Sequence, residues 1–490
     1  MPAPPVRRAE CARAWMASGG APLRFDPLSR KETNRMNTSI PTPASTLRRH
    51  AALALLACAA AALALPAFAA AMSALVHKAS VEVRSAPDFK ASTIATLKRD
   101  AKLEVAGQKG LWFEVKLADG KTGYVRVNDV RMAYAGNEGG DANVRALFTG
   151  KAGKGRVTET AGVRGLDESA LAAAGYDAAQ LAAMERNRVE AKAASAQAAK
   201  DGWIAMDIPY AAEATKQQAG GATQKAKRGG FGFARNLLSM AGVGTSPLGD
   251  SAMNVAEKSM GKSEEEMTAE ELALGPEIAG RMLGAAPLWK NAEAQHRVNV
   301  IGRWVASHTS RPELPWTFGV IDSLEINAFA APGGYVMVTR GMYELLADDA
   351  EVAAVLGHEI GHVVQRDHYT VIHKQEVAQA GTELVSGQVS VGGGLAGQYA
   401  KDYATRYGAK VMLTSLDREA EFRADQSSEV YLARSGFDPL SLYAVLQKMT
   451  AFGTKSAALA QLYKTHPPLD DRLDRIDSVA NPGVAAYADR

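Results

Sequence analysis

The stretch "AAVLGHEIGHVVQRDH", residues 353 to 368, narrows the possible folds more than any other part of this chain. It sets two histidines four residues apart, and these share a face only if the backbone is an α-helix of about 3.6 residues per turn. Val352, Val355, Leu356 and Val363 recur at helical spacing. Asp348, with Glu351 three residues on, forms an Asp-x-x-Glu variant of a capping box. His358 and His362 then project side by side, so both imidazoles can reach one Zn²⁺ at bonds of about 2.0–2.1 Å. Glu359 lies one step round the helix, where a carboxylate can take a proton from a water beside the metal. The plainer alternative is a helix that carries two hydrogen-bonded histidines.

Two protein ligands are too few for a catalytic zinc, so the fold must bring another from elsewhere. "LDREAEFRAD", residues 416 to 425, has helical character. It puts Glu421 and Asp425 on one face, with Arg418 three residues before Glu421. Alone, this run reads as a solvated, salt-bridged helix surface. Combined with the first motif, His358, His362 and Glu421 make a two-histidine, one-glutamate set that leaves a position open.

"HEIGH", then "REAEFRAD", then "THPPLDDR", with "NAFAAPGGYVMVTRGMYELL" upstream, resembles the zinc endopeptidases of the CAAX-prenyl-protease, HtpX and BepA type, peptidase family M48. The resemblance runs over residues 265 to 480. It implies an α+β, mostly helical zincin-type (gluzincin) domain with a small sheet, and one Zn²⁺ held by His358, His362 and Glu421. Glu359 would be the general base, with Asp425 and Arg418 behind the ligands. Glu419 stands beside Glu421 but two residues off its face. His466 matches a His-Pro that in some relatives approaches the metal, as a fourth ligand or as a donor to the transition state, a role Arg472 could share. Asn327, Ala328, Phe329 and Ala330 would form an edge strand that pairs with an extended peptide substrate. The plainer reading for them is an interior strand.

Ahead of this domain the periodicity changes. Residues 75 to 131 alternate β-branched or aromatic residues with polar ones, broken by turn signals such as Asp119-Gly120. The order from "VEVRSAP" through Trp112 to "GYVRV" resembles the bacterial SH3 domain, which implies a small all-β barrel that holds a cell-wall peptide or another protein. Trp112 is read as core. Residues 134–260 read as a helical and Gly-rich linker region, with a possible coiled segment near "AAQLAAMERNRVEAKAASAQAAK". "SGQVSVGGGLAGQY", 386 to 399, reads as a gating loop.

The N-terminus reads as a leader. "TLRRH" precedes an apolar run that ends in Ala67-Phe68-Ala69, the form of a secretory signal peptide over 36–69, with residues 1–35 an extension upstream of a start at Met36. Up to Ala69 there are nine Lys or Arg against three acids, so the formal +3 of the whole chain becomes slightly negative for the rest. That gives no electrostatic footprint for nucleic acid. Both cysteines, Cys11 and Cys58, fall in the leader, so a mature chain has neither disulfides nor Cys-ligated metal. Lipidation at Cys58 is the lesser alternative to simple cleavage. No later run of eighteen uncharged apolar residues suggests a membrane span.

The domains expected are therefore an SH3-like module at 73–133 and a zinc metallopeptidase domain at 261–482. The expected setting is the periplasm, with protein or peptide substrates, misfolded envelope proteins among them. A second reading is a chaperone-like or wall-binding envelope protein with a latent zinc site.

Overall fold

The computed structural model describes residues 72–133, 168–210, 263–375, 410–413 and 415–479. The leader, both cysteines and the stretch 386–399 lie outside the described residues.

Seven strands come first: β1 (Met72–Val76), β2 (Ser80–Arg84), β3 (Thr93–Lys98), β4 (Lys102–Lys109), β5 (Trp112–Lys116), β6 (Thr122–Arg126) and β7 (Val130–Ala133). They form one antiparallel sheet in the order β3-β2-β6-β5-β4-β1-β7. Alternation drives it: Val81, Val83, Leu103, Val105, Val115 and Val125 point inward and are buried, while their strand neighbours are more exposed. Gly120 has a φ of 83°, which the β5–β6 turn requires and an L side chain rarely adopts. Trp112 is buried, edge-on to Phe89, as its core reading expects. This is the SH3-like module.

Residues 168–201 contribute three short helices, α1 (Glu168–Ala173), α2 (Ala178–Arg186) and α3 (Ala191–Asp201). α2 and α3 lie against α4 (Glu264–Ala285) and α5 (Ala292–Ala306) respectively. α4 starts at a complete capping box between Ser263 and Glu266. A small mixed sheet follows: β8 (Thr317–Ile321), β9 (Ala328–Ala331) and β10 (Tyr335–Thr339), in the order β8-β10-β9. β10 runs parallel to β8 and antiparallel to β9, so β9 is an edge strand of this sheet. The longer helices that follow are α6 (Asp349–Gln365), α7 (Arg418–Arg434), α8 (Leu440–Thr450) and α9 (Leu469–Ser478).

α6 is the motif helix, and it is buried on every side from Glu351 to Val363, not along one stripe. Asp348 caps it as expected, accepting from Glu351 N at 2.9 Å. The Glu351 carboxylate does not close the box onto Asp348. It accepts from Ala347 N at 2.7 Å, from Lys448 Nζ at 2.6 Å and from Gln108 Nε2 of the β-module at 3.0 Å. Lys448 is fully buried on α8. Removing one member of such a pair strands the other charge in the interior, which costs about 3–5 kcal/mol. Lys448→Met is therefore expected to lower stability to urea by about that much. A change under about 1 kcal/mol would show that the pair does not brace this junction.

α6 and α7 touch through small residues. A Cβ on Gly357 would come 2.9 Å from Ser428 Oγ, and one on Gly361 would come 3.3 Å from Ser427 Cβ and 3.4 Å from Ala424 Cα. Ser428 Oγ also donates to Ala354 O at 2.9 Å. This close approach puts the first turns of α7 beside the histidines of α6.

Candidate metal centre

His358, His362, Glu421 and His466 each turn one donor atom into a common space, and these four atoms lie within 4.8 Å of one another. The two Nε2 atoms of His358 and His362 are 3.1 Å apart. Glu421 Oε2 stands 3.6 Å from His358 Nε2 and 3.7 Å from His466 Nε2, and Oε1 stands 3.7 Å from His362 Nε2. Four ligands at bonds of about 2.0–2.1 Å around a tetrahedral zinc would be separated by about 3.3 Å, which is the scale observed.

The back of each ring explains why the Nε2 atoms converge. His358 Nδ1 lies 2.9 Å from Asp425 Oδ1, and His362 Nδ1 lies 2.9 Å from Asp367 Oδ2. An N–H at each Nδ1 donates to its carboxylate, so the lone pair is left on Nε2. At His466, Nδ1 is 2.8 Å from the Thr465 hydroxyl. That hydroxyl donates back to the carbonyls of Gln461 and Leu462, so it accepts from Nδ1 and again leaves Nε2 free. Three imidazole lone pairs and a buried carboxylate aimed at one point repel one another unless a cation sits between them. Glu421 Oε2, buried without a hydrogen-bond partner, is the orphaned atom such an ion would satisfy. The residues fit a zinc ion.

The electrostatics agree. Burial raises a carboxyl, yet His466 and the other two imidazoles hold Glu421 well below the usual carboxylate range. Burial likewise opposes the charged form of Asp425, but the Arg472 guanidinium, bidentate on it at 2.5 and 2.9 Å, keeps it at about 2. Burial and Arg472 push His358 down, but the nearby Asp425 and Glu421 carboxylates outweigh them and bring it to about 9. Carboxylates that can hold a proton on a buried imidazole form a site that attracts positive charge. Burial, helped by the neighbouring Glu421 carboxylate and opposed by His358, His362 and Arg472, drives Glu359 up, the direction a general base needs. Burial takes His466 down to about 4, so its ring is neutral.

Glu359 lines two small cavities that meet the cluster. One, of about 20 Å³ or one water's room, is bounded by Ala328, Phe329, His362, His368, Met412, Leu416, Glu421, Thr465 and His466. The other, about 30 Å³, is largely apolar and reaches Asn327, His358 and Arg472. The Asn327 side chain is buried, and its Nδ2 has no partner.

Of the expected site residues, His358, Glu359, His362, Glu421, His466 and Asp425 are brought together, and Asn327, Ala328 and Phe329 line the cavities beside them. Ala330 is buried on β9 without lining either cavity. Arg418 is not brought in: it is 64 % exposed and pairs with Asp471 of α9 at 2.5 Å. It opens α7, where the first-turn side chain points out to solvent and finds a nearby acid. Glu419 also stays outside, 3.7 Å from Arg475. Arg472 reaches the centre, but as the partner of Asp425, with Nη2 3.3 Å from His358 Nδ1.

Asp367 and His368 were not legible as site residues. α6 ends at Arg366, which takes a left-handed φ of 59° although it is not glycine. That costs about 1–2 kcal/mol, offset where its guanidinium meets Glu271 at 2.8 Å, beside Arg311, which donates to Glu271 and to Val363 O. The break swings Asp367 back under His362 and His368 into the cavity, where burial and the neighbouring His362 lower His368 to about 3. Asp367→Ala is expected to weaken zinc binding about 10–100-fold, measured by competition with a chromophoric chelator. Unchanged affinity would mean that Asp367 does not orient His362.

Comparison with known proteins gives the same picture. Residues 292–480 match Peptidase family M48, and residues 79–130 match the bacterial SH3 domain. The chain carries an M48 peptidase domain. The M48 match takes in α5 to α9 and therefore every member of the cluster. Among relatives, the Beta-barrel assembly-enhancing protease of Escherichia coli (strain K12) is 28% identical over 225 residues, 43% of this chain and 44% of that protein. Metalloprotease LoiP of the same organism is 25% identical over 195 residues, 40% of this chain and 74% of LoiP. Mitochondrial metalloendopeptidase OMA1 of Arabidopsis thaliana is 30% identical over 154 residues, 31% of this chain and 29% of OMA1. This chain thus spans less than half of the assembly-enhancing protease that it matches. No helix of the described residues is long and apolar enough to cross a membrane.

Proposed function

We propose that this chain is a zinc-dependent endopeptidase that hydrolyses peptide bonds of protein substrates in the bacterial envelope. The observation that carries the reading is the set of four converging donor atoms with Glu359 beside them. A zinc ion held there would supply Lewis acidity, which polarises a carbonyl and lowers the pKa of water to about 7. The chain's own groups do the rest. Asp425 and Asp367 fix the two imidazoles from behind. Glu359, raised by burial, takes the proton of the attacking water and returns it to the leaving amine. β9 offers its edge to an extended peptide, and the free Nδ2 of Asn327 donates to a substrate carbonyl. His466, neutral with its Nε2 toward the same point, would either help to hold the ion or donate to the transition state.

The envelope setting is supported by the leader-like N-terminus and by relatives named for β-barrel assembly. It makes misfolded envelope proteins the substrate class, with the SH3-like module free to hold a wall peptide or a protein. The test is casein cleavage by the purified protein with and without 1,10-phenanthroline. Loss of cleavage with the chelator and its return on adding zinc support the reading. Cleavage indifferent to the chelator, or none with zinc bound, refutes it.

A further inference from the structure

The apolar cavity beside Glu359 has α8 as its longest wall. Leu442, Val445, Leu446 and Met449 face into it at helical spacing, and Arg472 of α9 closes one side. The β-module grips the same two helices from behind. Gln447, fully buried on α8, accepts from Met132 N at 2.9 Å and donates to Val130 O at 2.5 Å, so its amide is tied to the β7 backbone through both ends. The Arg131 guanidinium lies 5.0 Å from the Tyr443 ring and pairs with Asp474 and Asp477 of α9 at 3.1 and 2.5 Å. Gln108 reaches Glu351, the partner of Lys448 one residue beyond Gln447. The buried cores of module and peptidase are continuous.

We propose that the β-module is a specificity element of the peptidase: it fixes α8 and α9 as the back wall of an aliphatic side-chain pocket, and so selects substrates by the residue flanking the scissile bond. The inference rests on the peptidase reading above. Its physical basis is that a side-chain amide bonded at both ends to strand backbone sets the strand-to-helix distance within a few tenths of an ångström. One methylene of fit in an apolar pocket is worth about 10–200-fold in selection. Apart from the metal-site imidazoles of His358 and His466, the ionisable groups of the lining are Arg472, already neutralised by Asp425, and the catalytic Glu359, so no guanidinium or ammonium is left free for an acidic side chain. The class favoured is therefore a leucine-like side chain over both alanine and aspartate.

The test uses the full chain, zinc-loaded, on fluorogenic peptides that differ only in Ala, Leu, Phe or Asp on each side of the scissile bond. Wild type is expected to prefer Leu over Ala by about ten-fold or more on one side. Gln447→Ala should cut that ratio several-fold through a rise in KM for the Leu peptide, with zinc content unchanged. Arg131→Ala, which removes the pairing with Asp474 and Asp477 and leaves the Gln447 amide bonds in place, should move the ratio in the same direction by less, with a melting curve to confirm that the variant is folded. Equal losses on all peptides, or a ratio unmoved in both variants, would show that the module merely supports the fold and would overturn the inference. A wild type that holds zinc and cleaves none of the peptides would overturn the peptidase reading itself, an outcome distinct from cleavage without side-chain preference.

Discussion

Replacing Glu359 with glutamine is expected to lower peptide cleavage by about 10²–10⁴-fold while the protein stays folded and keeps its zinc. The amide has nearly the volume of the carboxylate, so the two cavities that Glu359 lines keep their shape. None of the four converging donor atoms belongs to Glu359, so the metal set is untouched. What is lost is the one buried group beside the cluster whose raised pKa suits it to accept a proton and give it back. The checks are kcat on casein-derived peptides, metal content, and thermal melting of the variant beside wild type. Near-normal kcat with zinc in place would remove Glu359 from the chemistry and favour a site that binds without cutting.

Glu421→Ala is expected to have the larger effect on the metal. Glu421 is the only carboxylate among the four donors in the cluster, and the only one brought from α7. Its removal leaves three imidazoles and no carboxylate among the donors. Zinc content of the purified variant should fall from one per chain to a small fraction, and cleavage should fall with it. His466→Ala gives the contrast: with His358, His362 and Glu421 intact, zinc should remain. If zinc survives Glu421→Ala but not His466→Ala, then the ligand set is three histidines, and the role given to α7 is wrong. Both variants also remove a buried polar group from a packed site, so a melting curve is needed to separate metal loss from unfolding.

Much of this centre could be read from residue spacing, because its core is local. His358, Glu359 and His362 sit on one helix, and 3.6-residue periodicity places them without knowledge of the rest of the fold. The strands of the β-module were legible for the same reason, since burial alternates with period two along β1, β2 and β7. The edge position of β9 followed from the Pro-Gly-Gly after it, where Gly333 and Gly334 take positive φ values of 76° and 97°.

The parts that escaped depend on long-range contact or on a break in regularity. Asp367 lies five residues beyond His362, on no shared helical face, and reaches it only because Arg366 turns left-handed. Nothing about Arg366 alone signals that turn; its guanidinium is held by Glu271, ninety-five residues earlier on α4, together with Glu264 and Thr268. Arg418 shows the converse error. Spacing put it on the face of Glu421, but at the start of a helix solvent and a nearby aspartate compete successfully for a long cationic side chain. The two-glycine spacing Gly357-x-x-x-Gly361 was a signal available in the sequence, since small residues one turn apart permit the close approach that delivers Glu421. The grip of the β-module on α8 had no such signal. Gln447 and Met132 are 315 residues apart, and a glutamine inside a helix normally reads as surface.

The most direct measurement of the central claim is anomalous X-ray diffraction at the zinc absorption edge, on crystals of the purified protein grown without added metal. The expected result is one strong peak per chain, about 2.0–2.2 Å from His358 Nε2, His362 Nε2 and a Glu421 oxygen. A peak elsewhere, or none at this point with the same side chains in place, would contradict it.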